Sequence, residues 1–393
     1  MVRKFLLLSV VFAVLLSFTN CKKRNHDIFY DRKYIKEIKA ARKDAIFYMS
    51  RNTIPGATFA ISKDGKIIYS EGLGLASKDL NALVTRKTKF RIGQLSELFT
   101  NIIYQKLVED GTLHPDSTIQ HYYPDFPEKE FRMNVKDLVY HTSGIRMPKG
   151  EETDWRGLNV SLEAGLENFK NDSLEYPPGY YMVPNHFNYD LLGMVMEKAT
   201  GTSFLSLMKT YVTDTLGLEN TTPDNFFGTV EGRTQFYDHN FISVVVNATT
   251  RDLRYKMPSE GMLSNAEDLV KFGNAILYSD YLEEKTKSKL FEPITLPGNM
   301  PSQMVNGWIL LEDNQGRKIY GRSGSITGGN AALIIYPEEK MVVAAATNLT
   351  SMSDDLPVFV MANHFFPEEK ADEAAPLPAE EESSEETGSD AGN

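Results

Sequence analysis

Apolar and polar positions alternate along the chain in runs that predict distinct elements. Ile35, Ile38, Ala41, Ala45 and Met49 recur at helical spacing and predict an amphipathic helix over residues 34–49. Ile54-Pro55-Gly56 then breaks the chain. Residues 57–61 and 66–69 are strand-like and flank Lys63-Asp64-Gly65, and an Asp-Gly between two such runs predicts a hairpin. Gly93 punctuates next, and Leu95, Leu98, Ile102, Ile103 and Leu107 predict a turn running into a buried helix. Residues 135–140 lead into His141-Thr142-Ser143-Gly144-Ile145, a pattern expected for a Gly-terminated helix with a capping serine. Ser264 or Asn265, with acids just behind it, is an expected N-cap. Apolar runs at 331–336 and 341–347 predict two late strands, and a closing helix is expected over 356–366.

Composition changes this picture at the two ends. The chain has 393 residues, of which 41% are hydrophobic and 11% aromatic, enough for a sizeable core in one large domain or two small ones. Arg3 and Lys4 precede an apolar run of signal-peptide length, so residues 1–21 are read as a leader rather than as fold. The chain's single cysteine, Cys21, follows directly after Asn20, which resembles a bacterial lipoprotein site. The reading is a lipid on Cys21, a polar tether over 22–33, a folded domain over 34–366 and an acidic tail over 367–393. It implies an extracytoplasmic protein anchored to a bacterial membrane. One cysteine excludes an internal disulfide framework and a cysteine-based metal site.

The tail carries ten acidic residues against Lys370, which accounts for most of the chain's net charge of −11. It reads as a solubilising segment or, as the sharper alternative, a charge-mediated partner site. The folded remainder is close to neutral and offers no basis for binding nucleic acid. The seven histidines show no metal-binding spacing, no phosphate loop follows a strand, and no cofactor is implied. His114, His121, His239 and His364 stand isolated and suit polar or packing roles.

Three stretches carry the chemistry. Phe90-Arg91-Ile92-Gly93-Gln94-Leu95-Ser96-Glu97 resembles the nucleophile helix of the serine β-lactamase and penicillin-binding-protein family, in its class C β-lactamase, D-alanyl-D-alanine peptidase and esterase branch. There the frame carries Ser-x-x-Lys, whose serine is acylated. Here those positions are Gln94 and Glu97. The run Pro178-Gly179 to Leu191-Leu192-Gly193 resembles the family's Tyr-Ser-Asn region, but Pro184, Asn185 and His186 occupy the motif, with His186 placed in the cleft. Arg322-Ser323-Gly324 resembles the Lys/His-Thr/Ser-Gly edge strand, with arginine in the cationic position.

The resemblance implies an α/β (α+β) β-lactamase/transpeptidase-like fold, an antiparallel sheet flanked by helices plus an all-helical region. It implies a serine hydrolase ancestry. An amide is no nucleophile, proline has no proton to exchange, and arginine is too basic to shuttle one, so no catalytic residue is expected at Gln94, Glu97, Pro184, His186 or Arg322. Gln94, Glu97, His186, Arg322, Ser323 and Gly324 are instead expected to line a binding groove for a cell-wall peptide or a protein. The alternative is an active hydrolase with a relocated nucleophile such as Ser323 or Ser143. Glu97 and Arg322 are further expected to pair, since both family positions face the acyl site.

Overall fold

The protein is described by a computed structural model in which residues 27–154, 161–225, 227–350 and 356–367 are placed. The lipoprotein-type leader with Cys21 and nearly all of the acidic tail lie outside the described residues. Among the described residues, no helix is long and apolar enough to cross a membrane.

A nine-stranded antiparallel sheet forms the centre. Its strands are β1 (Ile28–Tyr30), β2 (Gly56–Lys63), β3 (Lys66–Ser77), β4 (Ala82–Leu83), β5 (Met304–Val305), β6 (Trp308–Glu312), β7 (Lys318–Ile326), β8 (Gly329–Tyr336) and β9 (Met341–Thr347). They run in the order β1-β3-β2-β9-β8-β7-β6-β5, with β4 paired to β3. The hairpin between β2 and β3 turns at Asp64 and Gly65, both at positive φ, the conformation a tight two-residue turn demands. One expectation changes here. Ile28–Tyr30, read as part of the tether, pairs with Tyr69–Glu71 as an edge strand. The Arg86 side chain also holds Asp27, 3.0 Å from the carboxylate.

The two faces of the sheet build separate cores by simple alternation. Leu333, Ile335, Val342, Ala344 and Ala346 point to one side, and Ala332, Ile334, Tyr336, Met341, Val343 and Ala345 to the other. Helix α1 (Ile35–Arg51) covers the second side with Ile38, Ala41, Ala45 and Met49, the stripe its periodicity predicts. The closing helix is shorter than expected, Val358–Asn363, because Pro357 caps it and the chain turns again by Phe365. The first side packs on a helix over Ala266–Tyr278, whose N-cap is Asn265 accepting from the Asp268 amide at 2.8 Å.

Beside this lies the all-helical part, with α2 (Ser96–Glu109), α3 (Val135–Val139) and α4 (His186–Thr200). Helix α2 is buried nearly all round and contributes Leu98, Phe99, Ile102, Ile103 and Leu107 to the core. Full burial of each such side chain contributes roughly 1.5–3 kcal/mol. It stops where Gly111 takes a positive φ. Helix α4 ends likewise at Gly201, φ 64°.

The turn before α2 presses onto β7 with no room for side chains. A Cβ on Gly324 would lie 2.1 Å from the Ile92 carbonyl oxygen and 2.7 Å from the Gln94 nitrogen, and one on Gly93 would lie 2.8 Å from the Ser325 nitrogen. Both clashes are with backbone, which cannot rotate away. Gly324→Ala is therefore expected to lower stability by about 1–3 kcal/mol or more in urea unfolding. Gly321→Ala on the same strand, whose nearest contact is the Ile334 methyl at 3.3 Å, should cost distinctly less.

Candidate functional site

Three segments converge where the turn before α2 meets β7: the start of α2, the start of α4 and the turn around residues 254–261. Glu97 lies in the first turn of α2, where the helix dipole favours a carboxylate and would disfavour a lysine. Its carboxylate pairs with the Arg322 guanidinium, both groups buried. The positions expected to face one another do so. The His141 imidazole also approaches, with Nε2 3.5 Å from Glu97 Oε2. His141 is held at φ 56°, an uncommon conformation for a residue with a side chain. Its ring packs on that of Tyr189, centroids 5.1 Å apart.

Gln94, at the nucleophile position, is fixed from both ends of its carboxamide. Its oxygen accepts the Ser325 backbone N–H at 2.8 Å. Its nitrogen donates to Glu260 Oε1 at 2.6 Å. The other oxygen of Glu260 accepts from Lys256 Nζ at 2.5 Å, with Lys256 fully buried. Burial alone would push the Glu260 carboxyl up, but the charges of Lys256 and His186 and the hydrogen bonds from Lys256 and Gln94 hold it below its ordinary value.

His186 opens α4, and its Nδ1 lies within hydrogen-bond distance of Asp190 Oδ2, at 2.8 Å, one turn along the helix. Asp190 Oδ1 accepts from Ser259 Oγ at 2.6 Å. Burial pushes the Asp190 carboxyl up, partly offset by His186 and Ser259. This is not a nucleophile–base arrangement, because the Ser259 proton is spent on the carboxylate and not on the imidazole. The His186 Nε2 is buried without a hydrogen-bond partner among the described residues.

The two relocated-nucleophile candidates lack a base. Ser143 Oγ donates to the Asn188 carboxamide oxygen at 2.5 Å and accepts from the Ile145 amide at 3.1 Å. It ties its loop to α4 rather than capping a helix as expected. Ser323 is exposed and sits opposite Ala332 in the sheet. Strand alternation therefore turns it to the face away from Arg322, which sits opposite Leu333. Among the described residues, no base hydrogen-bonds its hydroxyl. Ser96 donates to the Gly93 carbonyl at 2.7 Å and is structural. Pro184 and the phenols Tyr180 and Tyr181 are exposed.

Gln94, Glu97, His186, Arg322 and Gly324 are thus brought to one place, while Pro184 and Ser323 face outward. Sequence reasoning missed Lys256, Glu260, Asp190 and Ser259. The spacings His186 to Asp190 and Lys256 to Glu260, each four residues, were the available signal. Among the described residues, no cluster of three or more His, Cys, Asp or Glu side chains is arranged to hold a metal ion.

The buried pair sets a stability test. Glu97→Ala should cost about 3–5 kcal/mol by leaving the Arg322 cation unpaired, read by chemical denaturation, whereas Ser323→Ala at the exposed edge should stay within about 0.5 kcal/mol.

The family model described as Beta-lactamase matches residues 34–366. The serine beta-lactamase-like protein LACTB, mitochondrial, of Homo sapiens is 26% identical over 379 residues, spanning 72% of this chain and 69% of that protein. Protein flp of Staphylococcus aureus strain MW2 is 24% identical, spanning 77% of this chain and 61% of its own length. The octameric penicillin-binding protein homologue from Pyrococcus abyssi shares the fold, with a TM-score of 0.71 at 22% identity over 83% of this chain and 76% of its own. By sequence match across its folded part and by architecture, this chain belongs to the Beta-lactamase family, a family of serine hydrolases.

Proposed function

We propose that this protein is a lipid-anchored, catalytically inactive member of its family that acts as a binding or scaffold protein at the bacterial cell envelope. The observation that carries the reading is the fate of position 94. In place of a hydroxyl stands a carboxamide whose oxygen already occupies the Ser325 N–H, a donor of the type that would stabilise an acyl oxyanion. The cation that would activate a nucleophile is absent from position 97, and Arg322 is neutralised by the carboxylate there. No tyrosine stands at position 184. Three separated replacements all remove the same chemistry, and a shared fold does not by itself preserve activity.

Because Glu97, His186 and Arg322 are buried, their part in recognition is to shape the floor, and direct contact falls to Gln94 and the rim of β7. A peptide of the cell wall or an extended segment of a protein suits an edge that presents backbone groups beside exposed Ser323 and Ser325. The membrane tether rests on Cys21 and the leader that precedes it.

Incubation of the purified domain with a fluorophosphonate and with a fluorescent penicillin is expected to leave its intact mass unchanged, beside a relative that labels. A stoichiometric adduct on one serine would replace this reading with that of an active hydrolase. For the anchor, the full chain expressed in bacteria should incorporate a labelled fatty acid and partition into detergent, and Cys21→Ser should abolish both. Equal incorporation by Cys21→Ser would contradict the tether.

A further inference from the structure

Glu260 stands between an amine and a carboxamide, one on each carboxylate oxygen. Lys256 Nζ donates to Oε2 at 2.5 Å and Gln94 Nε2 donates to Oε1 at 2.6 Å. Lys256 is fully buried and Glu260 is 7% exposed. The remaining polar atom of the carboxamide, Oε1, is held by the Ser325 backbone N–H at 2.8 Å. These are the parts of an acyl-transfer site: an amine nucleophile, a carboxylate able to relay a proton, a carbonyl polarised by a fixed N–H, and a leaving group already hydrogen-bonded to the relay.

We infer that Lys256 and Gln94 form an intramolecular isopeptide cross-link, with Glu260 as the catalytic proton relay. The Lys256 ammonium passes a proton to Glu260 Oε2, and the neutral amine attacks Gln94 Cδ. The new N–C bond gives a tetrahedral intermediate whose oxygen is stabilised by the Ser325 N–H. Glu260 returns its proton to the former amide nitrogen as the Cδ–Nε2 bond breaks. The amine, in the intermediate still positively charged, releases its extra proton as ammonia departs as ammonium. One lysine ammonium and one glutamine carboxamide become one secondary amide and one ammonium ion, and no oxidant, metal or co-reactant is consumed.

Burial penalises both charges of the Lys256–Glu260 pair and so works toward the first step, against the charges of Lys256 and His186 and the hydrogen bonds that hold Glu260 ionised. The product would join the turn before α2 to the turn carrying Glu260, in a protein whose single cysteine rules out an internal disulfide. Like a disulfide, such a link would restrict the unfolded chain. The link closes over position 94 and does not depend on whether a ligand binds the groove.

Intact-mass measurement of the purified chain, with no ligand added, tests this directly. The expected mass is lower by one ammonia than that calculated for the chain as processed, with the leader removed and any lipid counted. Tryptic mapping should yield one branched peptide joining the segment of Gln94 to that of Lys256, with no cleavage after Lys256. Glu260→Gln and Lys256→Met should each return to the full sequence mass while retaining the wild-type circular dichroism. An unshifted wild-type mass with Gln94 and Lys256 in separate linear peptides would overturn the inference, whatever the variants do. Loss of water instead of ammonia would also overturn it, since that product joins Lys256 to Glu260.

Discussion

Glu97 has no route to water from the first turn of α2, so the Arg322 guanidinium on β7 must hold its charge. Much else depends on that contact. It fixes how α2, buried nearly all round, sits against the sheet. The close approach at Gly93 and Gly324 removes any cushion of side chains between them. A buried charge without its partner is worth several kcal/mol of instability, a large fraction of what holds a domain folded. On the proposed reading, the same pair leaves neither member free to activate a nucleophile.

Around it, the polar groups of the floor fall into small sets, with His186 Nε2 and Arg322 Nε buried without hydrogen-bond partners among the described residues. Asp190 takes up both the His186 ring and the Ser259 hydroxyl. Glu260 takes up Lys256 and Gln94. Buried networks of this kind specify one arrangement when satisfied and are costly when broken.

Much of the fold was legible because single side chains report it locally. The stripe from Ile38 to Met49, the Asp64-Gly65 turn and the alternation through β8 and β9 each follow from one periodicity and one turn rule. The Asn265 cap was one of two candidates, and only geometry chose between them. The facing of Glu97 and Arg322 was legible because motif positions fix it. The chain of hydrogen bonds from Gln94 through Glu260 to Lys256 was not, since Gln94 lies far from the other two in sequence and reaches them only through a turn that reads as a generic Gly-rich loop. Edge strand β1 escaped for a different reason: its three residues offer no alternation, and its pairing partner, Tyr69–Glu71, decides its state.

The central claim is that Glu97 and Arg322 act as one neutral unit. A double-mutant cycle with Glu97→Leu, Arg322→Met and the double variant, followed by chemical denaturation, measures it. The expected result is that each single change costs about 3–5 kcal/mol and the double change far less than their sum, a coupling of about 3 kcal/mol. Additivity within about 0.5 kcal/mol would mean that the two residues do not depend on each other, and would contradict the account.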